Sequence, residues 1–200
     1  MASLIFLLSI LSLLVLIIIL ILKASRGRPL IATFKKIGWL IAGYTVAWIV
    51  FRILWIQVPV PFGTDICFDD WCATITGYES GATIQKQFSA LGTESDWLVL
   101  HVRMSNHARG ISQKPSEPRI YIRDDQGRSW PYSNTGQQLF EKISGIQPAI
   151  DSRLELHQSL ETIMIFQVPK NAKGLYAVIE EGPFITRFIF PENQSVFRIK

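Results

Sequence analysis

Cys67 and Cys72, in the segment Cys-Phe-Asp-Asp-Trp-Cys, are the only cysteines in the 200 residues. Such a pair can close a disulfide, remain as two thiols, switch between those states or ligate a metal. In an oxidising compartment an even, closely spaced pair reads as a disulfide. Five residues of extended chain span about 16 Å, whereas bridged Cα atoms approach within ~7 Å. The bond therefore requires a turn at Asp69-Asp70, which those residue types favour. Closing so short a loop contributes only about 2 kcal/mol on the chain-entropy account. For metal binding, Cys-x4-Cys is wider than most zinc knuckles and no second ligand pair accompanies it. The spacing also differs from the Cys-x-x-Cys-His of c-type haem attachment.

The three histidines are His101, His107 and His157. His101 falls within a strand pattern and is expected as a half-buried packing residue; His107 is expected on a loop surface. A Ser/His/Asp set can be assembled on paper from any chain of this length, so it has meaning only with geometry. The sequence has no Gly-x-Ser-x-Gly, phosphate loop or His-Glu-x-x-His motif. Asp65, Asp69, Asp70, Asp124 and Asp125 offer hard oxygen ligands of the kind calcium takes, but acids at turns also cap and solvate loop ends. Asn193-Gln194-Ser195 matches a glycosylation triplet. No catalytic, cofactor-binding or metal residue is assigned, and no cofactor is expected.

The chain's net charge of +4 and pI near 9.2 raise the question of nucleic acid. Residues 1–57 carry six basic side chains and no acidic one, whereas residues 58–200 hold 14 basic against 16 acidic groups, a net of −2. The basicity therefore belongs to the amino-terminal part, which argues against a nucleic-acid footprint on the rest.

Two apolar runs occupy that basic part. Residues 4–22 read LIFLLSILSLLVLIIILIL, about 28 Å as a helix, and a second run covers 37–58 with Trp39 and Trp55 near its ends. Both are expected as transmembrane helices in contact with a lipid bilayer, Arg52 snorkelling from the second or meeting a partner within the membrane. Met1-Ala2-Ser3 lacks the basic stretch of a cleaved signal peptide. Lys23, Arg26, Arg28, Lys35 and Lys36 make the loop 23–36 basic, and positive loops stay cytoplasmic. The expectation is a multi-pass cell-membrane protein with two spans in residues 1–58 and both termini outside.

Residues 59–64 then read as a Pro-rich spacer, and 65–200 as a separate extracytoplasmic domain. There the hydrophobic period becomes two: Leu98, Leu100, Val102 and Met104 share one face, while Trp97, Val99, His101 and Arg103 share a partly wet one. Strands are predicted at 71–78, 96–104, 119–123, 153–156, 161–168, 175–180, 184–190 and 196–199. Asp124-Asp125-Gln126-Gly127 supplies a hairpin turn, and 136–143 a short helix. Short strands without strand–helix alternation predict an all-β domain, an antiparallel β-sandwich.

Three segments carry a resemblance: WLVLHVRMSN at 97–106, a strand closing on Asn106; RIYIRDDQGRSW at 119–130; and LELHQSLETIMIFQVPKNAKGLYAVIEEG at 154–182. Their order, and above all Phe166-Gln-Val-Pro169-Lys-Asn-Ala172-Lys, resembles the telokin-like, immunoglobulin-fold domain of unknown function found in bacterial lipoproteins and secreted or membrane-anchored proteins. The likeness covers roughly residues 65–190. The family usually has a glycine-containing turn before the Phe-x-Val-Pro strand, where this chain has His157-Gln158-Ser159. The resemblance implies an Ig-like sandwich outside the cytoplasm and brings no catalytic residues.

The function expected is non-enzymatic, recognition of or scaffolding with an envelope protein. A redox-responsive sensor using Cys67 and Cys72 is the alternative, and an enzyme the third reading. The oligomeric state stays open.

Overall fold

In the computed structural model, residues 2–26, 31–54, 58–68, 70–91, 94–183 and 194–199 are described. The chain divides into two units, residues 1–56 with 189–191, and residues 57–188 with 192–200.

The first unit contains helices α1 (Ala2–Ser25) and α2 (Ile31–Leu54), which pack on each other. Lys23 Nζ donates to Thr33 Oγ1 at 3.1 Å across the connection between them. Their side chains are apolar on most sides, and Leu11, Ile18, Ile21, Phe34 and Trp39 are exposed.

Among the described residues, no helix is long and apolar enough to cross a membrane. This corrects the expectation of transmembrane spans at 4–22 and 37–58, and with it the multi-pass placement with both termini outside. In α2, Lys35 and Lys36 interrupt the apolar pattern, and Gly38, Gly43, Tyr44 and Thr45 dilute it. The Arg52 side chain and Trp55 lie outside the described residues. The all-β class is corrected too, because the chain is about 33% helix and 34% strand.

The second unit is a β-sandwich. One sheet has the order β1 (Ile66–Phe68), β2 (Trp71–Glu79), β3 (Ser95–Asn106), β6 (Ser159–Pro169). The other has β5 (Ser129–Pro131), β4 (Arg119–Arg123), β7 (Tyr176–Glu180), β8 (Gln194–Arg198). Every ladder is antiparallel. The alternation read from β3 holds: Leu98, Leu100, Val102 and Met104 enter the core between the sheets, meeting Ile122 and Ile179. The predicted strand 184–190 lies outside the described residues, and 153–156 reduces to one bridge between Leu154 and Gln113.

On its other face the first sheet is half covered. Helix α3 (Ala82–Gln87), the Phe88 that follows it, and helix α4 (Asn134–Ser144) lay Ile84, Phe88 and Phe140 over Trp97, Val99 and Ile165. Ser133 caps α4 by accepting from Gly136 N at 3.2 Å, and Gly145 at φ 91° ends it. Gly136 lets the helix approach closely, since a Cβ there would stand 2.7 Å from Trp97 and 2.8 Å from Ile165.

The free edge of β6 would expose unpaired backbone. Gln137 closes it in the manner of a neighbouring strand, its Nε2 donating to Ile163 O at 3.0 Å and its Oε1 accepting from Ile165 N at 3.1 Å.

Residues 59–64, expected as a spacer, lie along the sandwich. Val60 N donates to Val196 O at 2.7 Å and Gly63 N to Ile75 O at 2.9 Å, one contact on each sheet. Between them the Phe62 ring stacks on Phe197 with centroids 6.4 Å apart.

Candidate functional site

Cys67 and Cys72 form a disulfide. They are directly opposed in the β1–β2 ladder, with Cα atoms 3.9 Å apart, and Phe68↔Trp71 closes the hairpin beyond them. The chain thus reverses between Phe68 and Trp71, where the spacing requires a turn, and Asp70 lies in that turn; Asp69 lies outside the described residues. The two sulfur-bearing residues differ in access: Cys72 is buried and Cys67 exposed.

The register carries this position into the middle of the sheet. Cys72 pairs with Ser105 and Thr74 with Arg103, so these four belong to the sheet's outer face, beyond the part covered by α3 and α4. Asp65, just before β1, accepts from Arg103 Nη2 at 3.0 Å. His107 Nε2 lies 3.1 Å from Ser105 Oγ and 4.0 Å from Asp65 Oδ2. Farther along the same face, His101 Nε2 is 2.8 Å from Glu79 Oε1. All these groups are at least partly solvated, so each ion pair adds little to stability.

Asp65, His107 and Ser105 are the residue types of a nucleophilic triad, but the geometry differs. In a triad the carboxylate binds the imidazole nitrogen opposite the one that takes the serine proton. Here both oxygens approach the same Nε2, and Arg103 already occupies the carboxylate. The arrangement is a fixed pattern of charges and hydrogen-bonding groups on strands. His101 is half-buried and paired with Glu79, and His107 is exposed, as their positions predicted.

Asn106, the residue closing the β3 pattern, anchors the loops beside this face. Its buried amide donates to Ile111 O, Leu154 O and Glu155 O at 3.0–3.1 Å, and its oxygen accepts from Ala108 N at 2.8 Å. His107 N donates to Asp70 O at 2.9 Å, joining the same loop to the disulfide hairpin.

Of the acidic residues weighed as calcium ligands, the described ones, Asp65, Asp70, Asp124 and Asp125, do not converge. Among the described residues no group of three or more His, Cys, Asp or Glu side chains is placed to hold a metal. Asp124 organises the β4–β5 turn: it accepts from Gln126 N, Arg128 N and Arg128 Nε, the last at 2.7 Å. Burial alone would push its carboxyl pKa up. Hydrogen bonds from the Arg128 side chain and backbone, the Arg128 charge and the Gln126 N–H outweigh that and hold it below the ordinary value. His157, in the segment where the resemblance expects glycine, sits at φ 58° in the 155–158 turn closed by Gln158 N to Glu155 O at 3.0 Å.

No protein-family model matches the chain, and no curated protein matches it. Among solved structures it is similar to a conserved hypothetical protein from Bacillus anthracis, at 12% identity over 68% of this chain and 92% of that one, with a TM-score of 0.47. The secreted protein MPT63 from Mycobacterium tuberculosis is similar at 9% identity, covering 72% of this chain and 99% of its own, with a TM-score of 0.44. An uncharacterised β-sandwich protein from Clostridium difficile 630 gives 10% identity, 73% and 97% coverage, and a TM-score of 0.43.

Proposed function

We propose that the sandwich is a non-enzymatic recognition or scaffolding module of the cell envelope, of the telokin-like immunoglobulin type its strand motifs resemble. The observation that carries this reading is the polar array on the outer face of β2 and β3. Asp65, Arg103, His107, His101 and Glu79 are held by strands and a disulfide hairpin, an arrangement suited to reading a complementary charged surface. The disulfide supports work in an oxidising compartment.

The test places a photo-crosslinking residue at Thr76, beside the array, or at Arg119 on the other sheet as control. Expected are discrete adducts in cells from Thr76 alone, lost when Arg103→Glu reverses the charge. Equal adducts from both positions, or none from Thr76, overturn the reading.

The contrast between exposed Cys67 and buried Cys72 favours a second reading, a redox-responsive sensor. A thiolate of a dithiol reductant attacks Cys67 Sγ, Cys72 leaves as thiolate and takes up a proton, and the reductant's second thiol then resolves the mixed disulfide as Cys67 is released and protonated. The protein's disulfide is reduced by two electrons and the reductant is oxidised to its own disulfide. A bond that stays closed across the envelope's redox range, under alkylation of the full chain, sinks this reading.

A further inference from the structure

Toward the Ser95 end of β3, beyond the His101–Glu79 pair, a cleft of about 440 Å³ opens near the end of the sandwich. Leu98, Val168 and Leu175, which belong to the core between the sheets, contribute its apolar lining. Asp96 stands one step before Leu98 in the inward-facing series of β3, paired with Val168, and is half-buried. Lys170 and Lys173, in the connection from β6 to β7, line the same cleft and are exposed.

These three charged side chains make no hydrogen bond or ion pair with the protein among the described residues, nor do the lysines reach Asp96 at ion-pair distance. A half-buried carboxylate gains from a cationic donor, and the lysines gain from an acid. A cleft of this size with an apolar floor and polar groups around it has the form of a small-molecule site.

We propose that the cleft binds a small zwitterion with an apolar body, of the class of an apolar α-amino acid. Asp96 receives its ammonium group, Lys170 and Lys173 its carboxylate, and the Leu98–Val168–Leu175 lining its side chain. A simple organic anion would leave Asp96 as a repulsive wall, and a simple cation would meet two lysines.

The test is equilibrium dialysis of the full 200-residue chain against L-phenylalanine, L-phenylalaninamide and N-acetyl-L-phenylalanine. Saturable binding of L-phenylalanine is expected, with each derivative about tenfold weaker because one charge-assisted contact is gone. Asp96→Asn should abolish the preference over the acetylated compound, and Lys170→Gln with Lys173→Gln the preference over the amide. Unchanged urea midpoints in these variants would show that the fold persists. Absence of saturable binding by L-phenylalanine overturns the proposal. So does equal binding of the acetylated compound with no effect of Asp96→Asn.

Discussion

Asn106 Nδ2 lies 3.0 Å from the carbonyl oxygen of Leu154, 48 residues farther along the chain. That hydrogen bond, with its partners at Ile111, Glu155 and Ala108, ties the end of β3 to two loops otherwise held by few backbone bonds. Asn106→Ala leaves three carbonyls and one N–H without this amide in a buried setting. A loss of about 3 kcal/mol is expected in urea unfolding. Asn106→Asp should be worse, since it removes the donors and sets a negative charge against the same carbonyls.

Gly136→Ala tests the approach of α4 to the first sheet. Alanine favours helix by up to about 1 kcal/mol over glycine. Against this, the new methyl would meet the buried Trp97 ring at 2.7 Å and the β-branched Ile165 at 2.8 Å, neither the free end of a flexible chain. A net destabilisation of about 2 kcal/mol is expected in thermal or urea unfolding. A stabilised variant would show that the helix can move outward without cost.

His157 is a non-glycine residue at positive φ, in the turn position that glycine occupies most easily. His157→Gly should stabilise the chain by about 1 kcal/mol by removing the Cβ clash of the left-handed conformation. A loss in urea midpoint would mean that the imidazole makes a compensating contact.

The Asp124 carboxyl is held below its ordinary pKa of 3.8, so its ionised form is favoured in the folded chain. Its contribution is full above the unfolded value and is lost as pH falls through the lower, folded value. Asp124→Asn should therefore be less stable than the parent at neutral pH, and the difference should shrink on acidification below about pH 4. Urea midpoints measured across that range check both statements.

These positions also show what was legible beforehand. The period of two in 98–104 identified the core face of β3 because one side of that strand is wholly buried. The Asp124–Gly127 turn was legible from residue types, whereas Arg128's ion pair with Asp124 was not singled out. Helix α3 went unread, although Ile84 and Phe88 at i and i+4 were its signal; with six residues it has little period to detect. The strand predicted at 153–156 is a bridge because Leu154 faces Gln113 and no longer ladder forms. Cys67 and Cys72 were legible as a pair. Their convergence with Asp65, Arg103 and His107 depends on β2–β3 register, which local spacing does not encode. The amino-terminal apolar runs do form helices, and composition alone overstated them as membrane spans.

The disulfide also determines how tension would travel through the sandwich. A pull on the chain before residue 58 first loads the Val60 and Gly63 hydrogen bonds, one to each sheet. Force that passes them reaches Cys67 and crosses the sulfur bridge into β2 at Cys72. The hairpin tip at 68–71 is left in mechanical parallel with a covalent shortcut. The edge strand β1 therefore cannot be peeled past Cys67 without pulling on a buried, doubly paired strand. Reducing one bond would convert that coupled pair into a flap that unzips one residue pair at a time.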